Sequence, residues 1–537
     1  MRVEYEARGV AVADRTDGPS PDSCKEGRAP AVAPDAVDPA TGAPPSAAPD
    51  QISRLHDVVR KLRLSVARAG RATWRRWKPS IRRPDFADDA LNLAHYIALR
   101  HHELRPLQRA LMARGLSSLG RLESRVLVTL EIVERVLDHL ENGAALEGRH
   151  WPVPARRFAR GEASLTRNTN ALFGPKPQDR TGRILVTLGI EAAADARILL
   201  ELARAGADAV RINCAHDDES IWAAMIANTR AAGDAVGRRL PILMDLAGAK
   251  TRTGAVWVAD GERLRRGDRF RLVRQLAASS STPEAVCDPG PALAALRAGT
   301  EVAYDDGKLS GVVKQIDENG NALVHIARAG VKGAKLKPGK GLNFPGARLG
   351  LSPLTDKDRH DLAFVARHAD MIGYSFVQDA AAIELLQAEL ARHRPQDWRR
   401  IGLVAKIETV EAVRNLPEII VRAAGQQPFG VMIARGDLAV EIGFARLAEI
   451  QEEILWLCEA AAVPVIWATQ VLEEMVKSGL PTRGEMTDAA MSSRAECVML
   501  NKGRNVVEAI RVLHTLLARM EEHQSKKTPR LRPLKAW

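Results

Sequence analysis

"VAKIETVEAVRNLPEII", residues 404–420, decides how this chain is read. It opens as an apolar β-segment, ends that segment on Lys406 and Glu408, and passes into an amphipathic helical pattern. Ile407 separates the two charges, so the two-residue period of a strand turns both side chains to one side. Either they form a plain ion pair or they hold something between them.

The same texture recurs from residue 183 onward. The strand patterns are "RILVTLG" (183–189), "AVRINC" (209–214), "PILMDL" (241–246), "MIGYSFV" (371–377), "IGLVAKIE" (401–408), "GVMIARGD" (430–437), "VPVIWATQ" (463–470) and "ECVMLNKG" (496–503). Helical stretches such as "AAADARILLELARAG" and "LAEIQEEILWLCEAAA" fill most of the gaps. Parallel strands joined by helices make either a closed (β/α)8 barrel or a doubly wound open sheet, and the count of eight favours the barrel.

One gap does not fit. Between Asp245 and Ser375 lie far more residues than a βα loop contains. Inside it, "DRFRLV", "TEVAYDD" and "LSGVVKQIDENGNALVHIARAG" read as strands, the last as a hairpin around Glu318–Asn321. The expected fold class is therefore α/β: a (β/α)8 TIM barrel with an inserted small β-barrel lid domain above its C-terminal face, and an N-terminal α-helical extension. The expected boundaries are a disordered tail at 1–50, a helical extension with linker at 51–180, barrel at 181–252, lid at 253–344, barrel again at 345–523, and a basic tail at 524–537. The tail at 1–50 is rich in Ala, Pro, Asp and Gly and poor in large apolar residues. "LNLAHYIALRHHELRPLQRALMARG" and "LGRLESRVLVTLEIVERVLDHLENG" have helical spacing and each ends at a glycine. Residues 143–180 show no sustained period and read as linker.

Bulk properties narrow the function class. The 537 residues are 46% apolar and 27% charged, a globular balance. No apolar run approaches the roughly 20 residues of a membrane span. The first residues lack a signal-peptide core, so a cytoplasmic location is expected. Five scattered cysteines without a C-x-x-C argue for free thiols rather than disulfides or zinc. The net charge of +12 is concentrated in residues 60–84 and 526–537. Trp74 and Trp77 are interleaved with arginines in the first run. That composition makes a nucleic acid or anionic surface a candidate partner, against the commoner reading as solvated helix face or tail.

The strand ends gather the chemistry. Arg211, Asn213, Asp245, Ser375, Lys406, Glu408, Arg435, Asp437, Thr469 and Gln470 all fall where barrel active sites are built. Glu408 and Asp437 come from adjacent strands and suit a shared Mg²⁺, which takes one or two carboxylates. Arg211 and Arg252 offer planar forks for phosphate or carboxylate. Lys406 is a point charge suited to a phosphoryl group in transfer or an enolate oxygen. Together under a lid they form an inventory for phosphoryl transfer.

These segments resemble pyruvate kinase. "VRINCAH", "KTRTG", "YDDGKLSGVV", "GKGLNFPG", "VAKIETVEAV", "GVMIARGDLAVEIG" and "VPVIWATQVLEEMVKSGLPTRGEMTDAA" stand in the family's order around the same insertion, over roughly residues 181–523. The resemblance implies a glycolytic, ATP-forming enzyme that moves the phosphoryl group of phosphoenolpyruvate to ADP, with Mg²⁺ (or Mn²⁺) as cofactor and a homo-oligomer as the assembly. By position it implies Lys406 for the phosphoryl group and enolate, and Glu408 and Asp437 as metal ligands. Arg211 and Arg252 would contact the transferred phosphate. The backbone of Arg435, Gly436 and Asp437 with the Thr469 hydroxyl would hold the substrate carboxylate, Thr469 also lying near the methylene carbon. His216 and Lys340 would face the nucleotide phosphates.

The departures carry expectations too. Family members using a monovalent cation have "NFSH" and "DTKGPEIRTG"; here the segments are "NCAH" and "DLAGAKTRTG". Ala215 and Leu246 remove two side-chain oxygens, leaving Asn213 and Asp245 as a remnant site, and Lys250 replaces a glutamate. K⁺ is accordingly expected to be dispensed with, Lys250 taking its place. "TLGIEA" stands for "TIGPAS" near the adenine site, and "NKGR" for "SGET" after the last strand. The sequence also leaves no room for the family's C-terminal regulatory domain. Competing readings are a Mg²⁺-dependent aldolase or decarboxylase on a related 2-oxo acid, or a non-catalytic binding protein using the basic N-terminal region.

Overall fold

The computed structural model describes residues 49–143, 153–259 and 261–530. The tail expected at 1–50 lies outside the described residues up to residue 48, and so does the end of the chain from 531.

Three strands open the barrel: β1 (Arg183–Thr187), β2 (Ala209–Asn213) and β3 (Ile242–Asp245). The chain then leaves it for a seven-stranded sheet of β4 (Arg252–Trp257), β5 (Arg269–Val273), β6 (Glu284–Asp288), β7 (Glu301–Tyr304), β8 (Leu309–Ile316), β9 (Ala322–Ala329) and β10 (Leu342–Asn343). It returns through β11 (Met371–Tyr374), β12 (Gly402–Ile407), β13 (Phe429–Ala434), β14 (Val465–Ala468) and β15 (Cys497–Leu500). These five close with β1–β3 into an eight-stranded barrel, every pairing parallel. The eight strand segments read from the sequence are these eight strands.

Parallel strands covered by helices are buried on both faces, which is why they read as continuous apolar runs. Alternate residues then divide between two cores. Leu185, Ala209, Leu243, Met371, Val404, Met432 and Ile466 belong to a cluster inside the barrel, whereas their neighbours Ile184, Val210, Ile242, Ile372, Leu403, Val431 and Val465 pack toward the helices. The inner cluster also takes in Leu172 and Phe173, which close the barrel's N-terminal end. A Cβ on Gly402 would stand 2.6 Å from the Leu172 side chain, so only glycine leaves room for that plug.

Leu172 and Phe173 end a helix, Arg160–Phe173, in a segment read as linker. Its buried face is Gly161, Ser164, Leu165, Thr169, Leu172 and Phe173, half of it small or hydroxylic, which breaks up the apolar period. A second difference concerns the first helical stretch, which divides into α2 (Ala87–Arg100) and α3 (Arg105–Met112), Pro106 opening the latter. They pack with α1 (Pro49–Trp77) and α4 (Val126–Asn142), which ends on Gly143 in the left-handed conformation. Asn92 ties this layer to the barrel, its amide donating to the Glu123 and Ala460 carbonyls at 2.7 and 2.8 Å.

The basic stretches are less free than their composition suggests. Trp77 is buried, and the half-buried Trp74 donates its indole N–H to the Ala87 carbonyl at 3.2 Å. Residues 524–530 fold back as a two-residue-turn hairpin rather than a tail, bringing Lys526 to Glu496 and Lys527 to Glu123. The four described cysteines are buried free thiols. No described helix is long and apolar enough to cross a membrane.

Candidate functional site

The inward register of each strand continues one step past the apolar cluster. Leu185 leads to Thr187, Ala209 to Arg211 and Asn213, Leu243 to Asp245, and Val404 to Lys406 and Glu408. The alternation that builds the inner core therefore sets polar groups together at its C-terminal end.

Lys406 is at the centre. Its ammonium donates to Ser375 Oγ at 2.7 Å and lies 3.4 Å from Asp245 Oδ2 and 3.3 Å from Glu408 Oε1. Lys406 and Glu408 are thus within reach of each other. Burial disfavours the ammonium, but Asp245 and Glu408 outweigh it and hold its pKa above the ordinary lysine value. Asp245, 1% exposed, is opposed by burial yet held ionised by Lys406 and Arg211. Arg211 Nε donates to Asp245 Oδ2 at 2.9 Å and another guanidinium N–H to Thr187 Oγ1 at 3.2 Å. Gly373, on the neighbouring strand, makes space for this carboxylate, since a Cβ there would stand 2.4 Å from Oδ1.

Glu408 is buried rather than solvent-facing, and its Oε2 accepts the Phe376 N–H at 2.6 Å. Burial pushes its pKa up, Lys406 opposes that, and the Asp437 charge adds to it. A divalent cation shared by Glu408 and Asp437 would relieve this mutual repulsion, so the pair fits Mg²⁺. No cluster of three or more His, Cys, Asp or Glu suited to a metal occurs among the described residues.

Asp437 sits in the first turn of a helix, Arg435–Ile442, that starts directly at the end of β13. The Arg435 side chain turns away from the mouth. It donates to the Ala468 carbonyl at 2.9 Å and to Asp488, and lies over the Trp467 ring at 4.7 Å. At the mouth the backbone Gly436 N–H donates to Thr469 Oγ1 at 2.8 Å. Thr469 and Gln470 both have positive φ, an uncommon conformation that this Arg435 clamp maintains.

The remaining candidates separate. Lys340 pairs with Asp305 at 3.2 Å, inside the inserted sheet. Arg252 opens that sheet and makes no ion pair with another described residue. His216 lies in the turn after β2, its N–H bonded to the Asn213 carbonyl and its own carbonyl accepting from Trp222. Asn213 Oδ1 accepts the Ala215 N–H at 3.2 Å, and the Leu246 carbonyl accepts from Ser375 at 2.7 Å. Asp245 Oδ1 has no partner. Lys250 reaches Asp437 Oδ1 at 2.7 Å.

Sequence reasoning gave one participant no role and passed over two others. Ser375 was visible only as a polar strand end, yet it bridges Lys406 and the Leu246 carbonyl. Thr187 and Asp488, which orient Arg211 and Arg435, gave no signal because each acts through a distant partner.

Residues 179–506 match the family model "Pyruvate kinase, barrel domain". The chain is 33% identical over 360 residues to a pyruvate kinase of Geobacillus stearothermophilus, covering 64% of this chain and 57% of that protein. It is 32% identical over 368 residues to a pyruvate kinase of Mycobacterium intracellulare, covering 65% of this chain and 72% of that one. A crystal structure of a pyruvate kinase from Cryptosporidium parvum superposes with a TM-score of 0.57 at 27% identity, over 66% of this chain and 72% of the other.

Proposed function

The chain belongs to the pyruvate kinase family, and on that premise we propose that it transfers the phosphoryl group of phosphoenolpyruvate to ADP, releasing pyruvate and ATP. The observation that carries the reading is the joint presence of Lys406, Arg211, Glu408 and Asp437 at one strand-end layer, beside an inserted sheet that begins at Arg252.

Lys406 keeps its proton, since Asp245 and Glu408 hold its pKa up. It therefore acts as a fixed cation and not as a base. Its charge would stabilise the phosphoryl group as it leaves the enol oxygen and the enolate that remains. Arg211 would turn one edge of its fork to the phosphate while Asp245 fixes the other. The N–H groups at the start of helix Arg435–Ile442 would receive the substrate carboxylate, with the Thr469 hydroxyl beside them. Glu408 and Asp437 would hold Mg²⁺ or Mn²⁺, which supplies charge neutralisation and polarises the phosphoryl oxygens. Arg252 would contact the transferred phosphate with Arg211, and Lys340 and His216 would face the nucleotide side. The β-phosphate oxygen of ADP takes the phosphoryl group, and the enolate methylene then takes a proton.

Lys250 is proposed as the tethered substitute for K⁺, and a homo-oligomer in the cytoplasm as the working form. The deciding experiment is pyruvate release from phosphoenolpyruvate in Mg²⁺ buffer with and without ADP. ADP-dependent release is expected; release indifferent to ADP overturns the reading.

A further inference from the structure

At the opposite end of the barrel from Lys406, a cavity of about 580 Å³ lies between the N-terminal extension, the bottoms of β1 and β15, and the C-terminal hairpin. Seven cationic and four carboxylate side chains line it. Three of the cations are satisfied by carboxylates. Arg125 pairs with Glu162 at 2.6 Å, Arg494 with Glu452 at 2.6 Å, and Lys526 meets Glu496.

The other four cations are not. Arg121 and Lys176 are exposed and have no carboxylate partner among the described residues. The Arg530 guanidinium donates to the Glu521 carbonyl at 3.0 Å and has no carboxylate partner among the described residues. Arg183, 3% exposed, donates to the carbonyls of Thr181 and Gly174 and the amide oxygen of Asn170, and its Nε has no partner. A buried guanidinium bonded only to neutral oxygens is incompletely compensated. Of the lining carboxylates two remain to oppose these four, and Asp208, outside the lining, also acts on Arg183 through space. Glu521 is engaged by the Thr181 N–H at 2.7 Å, and burial pushes Glu459 up to about 7, which weakens it as a counter-charge near neutrality.

We propose that this cavity is a binding site for a small phosphorylated metabolite, with Arg121, Lys176 and Arg530 around its mouth and Arg183 deeper within. The volume suits one molecule of sugar-phosphate or nucleotide size. A compact polyanion matches several cations without carboxylate partners around one space, since charge-assisted hydrogen bonds are the strong ones. Its walls come from three separate segments of the chain: the helical extension, the barrel floor and the hairpin that starts at Gln524. An occupant would join them, so binding should stabilise the whole.

The test is calorimetric titration of the substrate-free protein with fructose 1,6-bisphosphate, glucose 6-phosphate, AMP and inorganic phosphate in turn, with uncharged glucose as control. At least one phosphorylated probe is expected to bind and to raise Tm. The double variant Arg121→Ser, Lys176→Ser should weaken that probe by about tenfold or more while leaving activity without it unchanged. Both residues are exposed, so the variant should fold. Lack of binding by all four probes at millimolar concentration, or binding that the double variant leaves intact, overturns the assignment. Because calorimetry reads binding directly, this result stands apart from whether the protein makes ATP.

Discussion

The Lys250 ammonium lies 2.7 Å from Asp437 Oδ1, although 187 residues separate them in sequence. One of the two carboxylates proposed to hold Mg²⁺ is thus already neutralised by the chain itself, while the other, Glu408, is buried with its pKa raised. A divalent cation entering between them has to share Asp437 with Lys250.

That competition sets the first prediction. Lys250→Met should tighten Mn²⁺ or Mg²⁺ binding by about three- to tenfold, the scale of a part-exposed ion pair. Asp437→Asn and Glu408→Gln should do the reverse and raise the metal requirement steeply. Calorimetry or Mn²⁺ resonance on the substrate-free protein reads both directions. Equal affinity in wild type and Asp437→Asn would remove Asp437 from the metal site.

Lys406 gives the second. Its charge serves charge that develops in transfer, so Lys406→Met should lower kcat far more than it raises the KM for phosphoenolpyruvate. It also leaves buried Asp245 with Arg211 alone, and breaking a buried charge network costs up to about 3–5 kcal/mol when no other partner remains. A measurable fall in denaturation midpoint is expected alongside the kinetic loss. A change confined to KM would make Lys406 a binding group only.

How far these features were legible differs by element. The barrel strands stand out because strands buried on both faces are continuous apolar runs, and their terminal charges stand out because nothing else in the run is polar. "VAKIE" shows both properties in five residues. Helix Arg160–Phe173 did not stand out, because it packs on Gly161, Ser164 and Thr169, which carry no hydrophobic signal. Lys526 was read as solvated tail, since nothing local announces that a hairpin turns it toward Glu496. The Lys250–Asp437 contact is of the same kind: each residue type was legible, but their meeting is a product of barrel closure. Lys250 had been expected to serve the Asn213–Asp245 pocket; its observed partner is Asp437.

The third prediction concerns pH. Glu441, near the end of the helix that carries Asp437, has its pKa pushed by burial up to about 7, with the Asn343 side chain and Gly346 backbone opposing that and Asp437 adding to it. In the folded protein it therefore holds a proton that the unfolded chain releases near its ordinary value. The stability this contributes is fully present below that ordinary value and is lost as pH rises toward about 7. Glu441→Gln should recover on the order of 1–3 kcal/mol at pH 8 and little at pH 5. Denaturant midpoints across that range provide the check, and a gain independent of pH would mean that titration of Glu441 is not involved.

The last prediction concerns the monovalent cation. A K⁺ site needs several oxygen ligands converging on one point. Here Asn213 Oδ1 is occupied by the Ala215 N–H, and the Leu246 carbonyl by Ser375. Ala215 has no side-chain oxygen to offer, and Asp245 Oδ1 is the one acceptor of that group without a partner. A lone carboxylate oxygen does not strip K⁺ of its hydration. Lys250, meanwhile, brings a tethered positive charge to the active-site mouth through Asp437, two residues before Arg252. An ammonium and K⁺ carry the same charge, and a second cation beside it would be repelled. Activity in buffer free of sodium and potassium should therefore equal that with K⁺ added. The triple variant Lys250→Glu, Ala215→Ser, Leu246→Thr restores the oxygens and removes the competing charge, and it should become K⁺-dependent. The single variant Lys250→Met should lose most of its activity without regaining it in K⁺, because the missing oxygens are still missing. An unmodified protein that stays silent until K⁺ is supplied would show that Lys250 does not substitute for the ion.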